Sequence, residues 1–299
     1  MINGILLLDK PQGISSSTAV QRVRRAFARV KAGHTGSLDP LATGMLPICL
    51  GEATKVAGYL LEGDKEYEFT ASFGARRSTG DMEGDIVEEC AVPADLAGAL
   101  RGAIPKFLGE ISQVPPMYSA LKRDGQPLYK LARQGLEVER AARRVVIHSL
   151  ELLGVTGSQA QMRVRCGGGT YVRTLAEDLA RAVGSCAHLA ALRRTVVAPF
   201  AQCDMVRLEL VEADPGSVTL HAPDTALAHL PAIELDEDAS RRLRQGQVIA
   251  RPGTSEQPGL VRVYAGSCFA GIGQMTLGES GVAVLKPIRL FNGLGQNPT

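Results

Sequence analysis

Two spacings of hydrophobic residues recur along the chain, and they predict strands interleaved with amphipathic helices. Tyr67, Phe69, Ala71 and Phe73 alternate with polar residues, which is the period of a strand with one buried face. Between residues 15 and 30 apolar residues are spaced three or four apart and arginines lie between them, which predicts a helix with one buried side. Further strands are predicted at 4–8, 145–153, 162–166, 261–264, 269–275 and 282–285, further helices at 94–108, 128–133, 172–183 and 240–245, and loops at 33–44 and 74–85.

The order of these elements predicts the fold class and the domains. Helices and strands are mixed without regular strand–helix–strand units, so we expect an α+β fold with a mixed, largely antiparallel sheet and flanking helices. After about residue 205, short strands are separated by glycines, which indicates a second, small β-rich domain. The predicted limits are 1–212 for the large domain, 213–229 for a linker, 230–292 for the small domain and 293–299 for a frayed tail.

Composition indicates an ordinary globular protein, because 45% of the 299 residues are hydrophobic and 21% are charged. The apolar run at residues 5–8 is too short for the core of a signal peptide, and no run is long enough to span a bilayer, so we expect a cytoplasmic protein. The cysteines show no C-x-x-C pair and no zinc-finger spacing, so we expect reduced, mostly buried thiols and no metal site. The cysteines are Cys49, Cys90, Cys166, Cys186, Cys203 and Cys268.

Positive charge is concentrated locally, although the net charge is only +2. Residues 22–31 hold five basic side chains and no acid, residues 122–144 are also rich in basic side chains, and Arg193 and Arg194 are adjacent. Any one of these clusters is adequately explained as a solvated surface. The three together favour a surface that binds the phosphates of an RNA.

The glycine-rich segment 33–44 contains a candidate functional carboxylate, Asp39. Asp39 precedes Pro40, which favours an extended backbone at Asp39. The segment has no phosphate-binding G-x-x-x-x-G-K-[ST] pattern. By turn chemistry alone, an aspartate before a proline is most often an ordinary turn residue.

A resemblance to a known family changes that interpretation. Segment 33–55 resembles the catalytic motif of the bacterial tRNA pseudouridine-55 synthases, which act on a uridine in the T loop of tRNA. Seven other segments match motifs of this family in the family's order, so the resemblance extends over residues 4–195, and the C-terminal part is similar to the family's small PUA-like domain. The seven segments are 8–13, 64–67, 114–122, 133–135, 169–174, 184–189 and 192–194.

The resemblance implies a reaction and three catalytic residues. The N1–C1′ bond of the uridine breaks, the uracil turns, and C5 joins C1′, which requires no cofactor. Asp39 matches the essential aspartate that attacks or stabilises the sugar carbon, and Arg173 matches the arginine that pairs with it. Tyr67 matches the tyrosine that stacks on the extracted base. Without the resemblance, a surface arginine at a helix start is the better interpretation of Arg173, and a core aromatic residue is the better interpretation of Tyr67.

The same resemblance implies a set of substrate-binding residues. The implied partner is the T arm and loop of tRNA, and we expect neither membrane binding nor an obligate protein partner. Asp81 would lie near the target nucleotide, His34 would enter the T loop, and Tyr171 and Leu192 would line the pocket. Each of these four also suits a plain structural role in a turn, a loop or the core. The candidates for phosphate contacts are Lys10, Lys122, Arg133 and Arg193.

Two other functions are weighed against this enzyme. A tRNA-binding or tRNA-folding protein without catalysis would use the same scaffold, but the presence of Asp39, Arg173 and Tyr67 together argues against it. A nucleoside or glycoside hydrolase needs a second catalytic carboxylate, and no motif supplies one.

Overall fold

The structure is a computed structural model that describes residues 2–123, 125–200, 205–251, 258–278 and 281–292. The predicted tail over 293–299 and Cys203 lie outside the described residues. The helices are α1 (Ser16–Ala26), α2 (Ala57–Glu62), α3 (Leu96–Ala103), α4 (Leu128–Arg133), α5 (Val172–Ala182), α6 (Leu208–Ala213) and α7 (Glu237–Arg244), and short 3-10 helices span Gly51–Lys55, Ile104–Phe107, Pro215–Ser217 and Pro223–Leu227. The strands are β1 (Gly4–Lys10), β2 (Ala32–His34), β3 (Thr43–Leu50), β4 (Lys65–Phe73), β5 (Ala75–Arg77), β6 (Ile86–Glu89), β7 (Gly109–Gln113), β8 (Lys122–Arg123), β9 (Gln126–Pro127), β10 (Arg143–Thr156), β11 (Gln159–Cys166), β12 (Ala187–Val197), β13 (Val206–Arg207), β14 (Ala232–Leu235), β15 (Ile249–Ala250), β16 (Gly259–Ala265), β17 (Cys268–Leu277) and β18 (Ala283–Leu290).

Nine of the described strands form one large sheet. Its order is β13-β1-β3-β12-β4-β11-β10-β7, and β2 also pairs with β3. The pairs β1–β13 and β3–β12 are parallel and the other pairs in this sheet are antiparallel. A second sheet has the order β14-β16-β17-β18-β15. The prediction of an α+β fold with a largely antiparallel sheet and a small β-rich C-terminal part is therefore confirmed.

Strand β1 is buried on both faces, which explains its uninterrupted apolar run. Leu6 and Leu8 pack in one hydrophobic cluster with residues of α1, α5 and β4. Ile5 and Leu7 pack in a second cluster, which also contains Phe269 from the C-terminal sheet. Because the two sheets contribute to one apolar cluster, removing the C-terminal sheet would expose core residues of the large sheet.

The predicted linker 213–229 packs against the large sheet. His221 exchanges two backbone hydrogen bonds with Ile5, at 2.8 and 2.9 Å. Leu227 is fully buried in the second cluster. The domain limits themselves stay a prediction.

Two predicted helices differ from the structure at their ends. Helix α1 is capped by the Ser15 side chain and ends at Ala26, so Val30, at the end of the predicted helical range, lies beyond it. The helix predicted over 94–108 is divided into α3 and the 3-10 helix Ile104–Phe107. The division follows from Pro105, which lacks a backbone N–H and obstructs a continuous α-helix.

The expectation of six reduced thiols is wrong for one pair. Cys90 and Cys186 form a disulfide with a Cα–Cα distance of 5.7 Å, although they are 96 residues apart in the sequence. Cys49 and Cys166 are buried free thiols, as expected. Among the described residues, no helix is both long enough and apolar enough to cross a membrane.

Candidate active site

A cavity of about 520 Å³ opens where the segment 35–42, β4, β12 and the start of α5 meet. Its volume is within the range of about 300–1,000 Å³ that is usual for small-ligand pockets. The cavity brings together six of the residues predicted for the site. They are His34, Asp39, Tyr67, Tyr171, Arg173 and Leu192.

Asp39 is held in the pocket by the backbone on both sides of it. The Ser16 hydroxyl at the start of α1 donates to the Leu38 carbonyl at 3.0 Å, and it accepts from the Leu38 N–H at 2.7 Å. The Pro40 carbonyl accepts from the Gly13 N–H at 2.8 Å. Because Ser16 is buried, these bonds are protected from water and fix the loop that carries Asp39.

Arg173 lies in the first turn of α5 and is only 6% exposed. Its Nη2 atom is 3.0 Å from Asp39 Oδ2. The guanidinium also donates to the carbonyl oxygens of Thr79 and Tyr118, each at 2.6 Å. The arginine thus ties the Asp39 loop to two other segments, and it is not devoted to the carboxylate alone.

Asp81, a predicted neighbour of the target nucleotide, is buried beside this arginine. Its Oδ2 atom is 3.9 Å from Arg173 Nε. Its Oδ1 atom accepts from the Thr79 hydroxyl at 2.6 Å and from the Glu83 N–H at 3.1 Å. Asp81 therefore lies beside the same guanidinium as Asp39, near a different nitrogen, and its own hydrogen bonds hold it there.

Opposing effects act on the Asp39 carboxyl. Burial raises its pKa, the positive charge of Arg173 counteracts that rise, and the negative charge of Asp81 adds to it. Because 41% of the Asp39 side chain remains accessible from the pocket, water still solvates part of the carboxylate. The carboxylate is consequently open to a substrate and backed by a buried cation.

Tyr67 lies in β4 directly opposite Arg194 of β12. Burial raises the pKa of the Tyr67 hydroxyl, and Arg194 counteracts the rise through its charge and a hydrogen bond. Arg194 is 1% exposed. Its assignment to a surface cluster with Arg193 is therefore wrong, because neighbouring residues in a strand point to opposite faces of the sheet. A strand pattern recognised at 187–197 would have separated the two arginines.

The remaining pocket residues are positioned by backbone contacts. Tyr171 precedes α5, and its N–H donates to the Gln113 side chain at 3.1 Å. Burial raises the pKa of the Tyr171 hydroxyl. Burial and the charge of Arg194 lower the pKa of His34, which favours a neutral imidazole.

The predicted phosphate contacts divide into exposed and occupied side chains. Lys122 and Arg133 are exposed. The Arg193 guanidinium is forked onto Asp9 at 2.9 and 3.0 Å, so its charge is already balanced. Lys10 is 0% exposed, which makes the predicted phosphate contact wrong for this residue.

The Lys10 ammonium is used inside the protein. It donates to the carbonyl oxygens of Pro11 and Ile14 at 2.9 and 2.8 Å. Burial lowers its pKa to about 8, while Asp39 acts in the opposite direction. Its side chain therefore supports the strand end beneath the pocket and cannot reach an RNA backbone.

Comparison with known proteins finds relatives that match nearly the whole chain. The family model "TruB family pseudouridylate synthase (N terminal domain)" matches residues 24–172. The model "tRNA pseudouridylate synthase B C-terminal domain" matches residues 173–229, and the model "Pseudouridine synthase II TruB, C-terminal" matches residues 231–291. The tRNA pseudouridine synthase B of Aromatoleum aromaticum is 50% identical over 98% of this chain and 94% of its own length. The chain belongs to the TruB family of pseudouridylate synthases. The predicted family and enzyme class are thereby confirmed.

Other relatives of this pseudouridylate synthase show the same picture. The tRNA pseudouridine synthase B of Chromohalobacter salexigens is 46% identical over 97% of this chain and 95% of its own length. Among solved structures, an H/ACA RNP bound to a substrate RNA containing 2′-deoxyuridine has a TM-score of 0.71 at 25% identity, covering 99% of this chain and 87% of that one. A Cbf5–Nop10–Gar1 complex has a TM-score of 0.69 at 26% identity, covering 94% and 83%.

Proposed function

We propose that this pseudouridylate synthase acts in the cytoplasm and converts uridine 55 in the T loop of tRNA to pseudouridine. The observation that carries the proposal is the accessible Asp39 carboxylate, held 3.0 Å from the buried Arg173 in a pocket walled by Tyr67. The relatives named tRNA pseudouridine synthase B support tRNA as the substrate class.

The proposed reaction begins when the uridine leaves its stack and enters the pocket, at a cost of a few kcal/mol. The Tyr67 ring supports the extracted base by stacking. Asp39 attacks or stabilises C1′ while the N1–C1′ bond breaks. The uracil then turns and C5 bonds to C1′; C5 loses a proton and N1 gains one, so the composition of the RNA is unchanged.

Arg173 serves Asp39 in this scheme. A guanidinium beside a carboxylate favours its ionised form and orients its lone pairs. The carbonyls of Thr79 and Tyr118 keep the guanidinium in place while the substrate enters. Since no group is transferred to or from the RNA, these side chains suffice without a cofactor.

The test is to incubate the protein with an unmodified tRNA transcript and to map pseudouridine by position. We expect product at position 55, and none when the transcript carries cytidine there. Asp39→Asn should bind tRNA normally and form no product. Asp95→Asn is the matched control, because Asp95 is an exposed helix cap that asparagine replaces well.

Three outcomes would contradict the proposal in different ways. Product at another position would reject uridine 55 and leave the enzyme class intact. Product from Asp39→Asn would reject the role of Asp39. Release of free uracil without pseudouridine would favour the hydrolase.

A further inference from the structure

Arg194 is a buried cation that the proposed reaction does not yet use. It is one of the largest fully buried side chains of the described residues. None of the ion pairs within 4.0 Å among those residues includes it. Burying a charge without a carboxylate partner costs several kcal/mol. Such a residue calls for an explanation beyond packing.

The Arg194 guanidinium connects separate parts of the pocket. Its Nε atom donates to the Met45 carbonyl of β3 at 2.7 Å. Its Nη2 atom donates to the Gly36 carbonyl at 3.0 Å, three residues before Asp39. Arg194 lies directly opposite Tyr67 across β12 and β4, both residues line the pocket, and its charge and a hydrogen bond act on the Tyr67 hydroxyl.

The backbone around Arg194 is built for this contact. Gly44 of β3 pairs with Arg194 of β12, and a Cβ atom at Gly44 would be 2.2 Å from the Arg194 carbonyl oxygen. Gly36 has a φ of +87°, a left-handed conformation that favours glycine, and it lies directly under the guanidinium. Two glycines therefore allow the side chain and main chain of Arg194 to approach the loop and β3 closely.

We propose that Arg194 is a positioning residue that holds the Tyr67 ring and the Asp39 loop in one fixed arrangement. The proposal rests on the roles proposed above for Tyr67 and Asp39. Several contacts hold the Asp39 loop, among them the Ser16 hydroxyl at Leu38, the Gly13 N–H at Pro40 and the Arg194 guanidinium at Gly36. Of these three contacts, the one from Arg194 comes from a residue that also faces Tyr67, so it relates the stacking ring to the carboxylate.

The shape of the guanidinium matters as much as its charge. Its nitrogens diverge in one plane, which suits acceptors on three different segments. A lysine ammonium at the end of a different stem would keep the charge but could not serve all three partners. Displacing a reacting group by about 1 Å is enough to slow an enzyme by about 100-fold.

The experiment compares Arg194→Lys, Tyr67→Phe and the double variant with the unchanged protein. Single-turnover formation of pseudouridine is measured at saturating enzyme and counted over the whole tRNA, so the result does not depend on which uridine is modified. Thermal unfolding and tRNA affinity are recorded for each variant. The loss of only a hydroxyl in Tyr67→Phe preserves the ring and the fold.

We expect Arg194→Lys and Tyr67→Phe each to slow the bound-state reaction by about 10- to 100-fold, with tRNA affinity changed less than about threefold. Because both changes break the same link, the double variant should be little slower than either single variant. A purely structural role would lower the unfolding temperature without this coupling in rate.

Two results would overturn the proposal while the unchanged protein still forms pseudouridine. One is a normal rate in Tyr67→Phe, which would show that the link to Arg194 is dispensable even if no Arg194 variant folds. The other is a double variant whose loss equals the product of the single losses. If the unchanged protein forms no pseudouridine at all, the proposed function fails instead, and the positioning role fails with it.

Discussion

Replacing Arg173 by lysine or methionine separates a catalytic arginine from a phosphate contact. The guanidinium reaches Asp39 and the carbonyls of Thr79 and Tyr118, which belong to three separate segments. Lysine keeps the charge but cannot reach all three acceptors. We expect it to lose one or two charge-assisted hydrogen bonds, each contributing about 1.5–3 kcal/mol to the free energy of unfolding.

Methionine removes every one of these contacts. It leaves Asp39 and the buried Asp81 without their cation, so the free energy of unfolding should fall by about 3–5 kcal/mol. A domain with about 5–15 kcal/mol of stability can absorb the smaller of these losses. Urea unfolding at low temperature measures the change and shows where each variant is folded.

The rate of the folded variants decides the role of Arg173. At saturating enzyme, Arg173→Lys should slow single-turnover pseudouridine formation by about 100-fold, because the Asp39 carboxylate loses its orientation. The tRNA affinity should change little, since Arg173 is 6% exposed. Arg181→Lys is the matched control on the same helix, where the arginine is exposed and pairs with Asp178. Its stability should change by less than about 0.5 kcal/mol.

The opposite pattern would refute this reasoning. If Arg173 contacts a phosphate, lysine would serve nearly as well and the rate of Arg173→Lys would be normal. The methionine variant would then mainly weaken binding and reduce the slope of log affinity against log salt by about one unit. Asp39 would be left without its proposed partner.

Three further predictions concern stability and RNA binding. Burial raises the pKa of the Cys49 thiol from 9.0 to about 12, so its contribution to stability is complete below pH 9 and is lost progressively as the pH rises from 9 towards 12. Between pH 9 and 10.5, the free energy of unfolding measured in urea should therefore fall by about 2 kcal/mol more in the unchanged protein than in Cys49→Ala. Gly44→Ala should lower the free energy of unfolding by about 2 kcal/mol or more, because its Cβ would meet Arg194, whereas the unobstructed Gly58→Ala should be neutral or stabilising; equal effects would contradict this. Lys122→Gln should reduce the salt slope of tRNA binding by about one unit, and an unchanged slope would exclude Lys122 as a phosphate contact.

The sequence by itself determined the features that depend on neighbouring residues. The alternation through Tyr67 and Phe73 predicts β4 with its buried face, and the structure has that strand at Lys65–Phe73. The motif around Asp39, read with its resemblance to a family, predicts the residues that meet in one pocket. These predictions succeed because side-chain periods and short motifs are local properties of the chain.

Other assignments required the positions of distant residues. Arg193 and Arg194 form one basic pair in the sequence, yet one is forked onto Asp9 and the other is buried beside Tyr67. The sequence predicts a surface cation at Lys10, but β1 lies between β13 and β3 in the sheet and the Lys10 side chain is buried. Composition and spacing do not encode which face of which strand covers a charge, so these residues were misassigned.

Long-range pairing decided the rest. Cys90 and Cys186 share no sequence motif, and they meet because β12 returns beside the hairpin of β5 and β6. The C-terminal sheet reads as a separate unit in sequence, but Phe269 shares a hydrophobic cluster with Ile5. The physical reason is that register and sheet order are set by cooperative packing among segments far apart in the chain, which no local window of residues specifies.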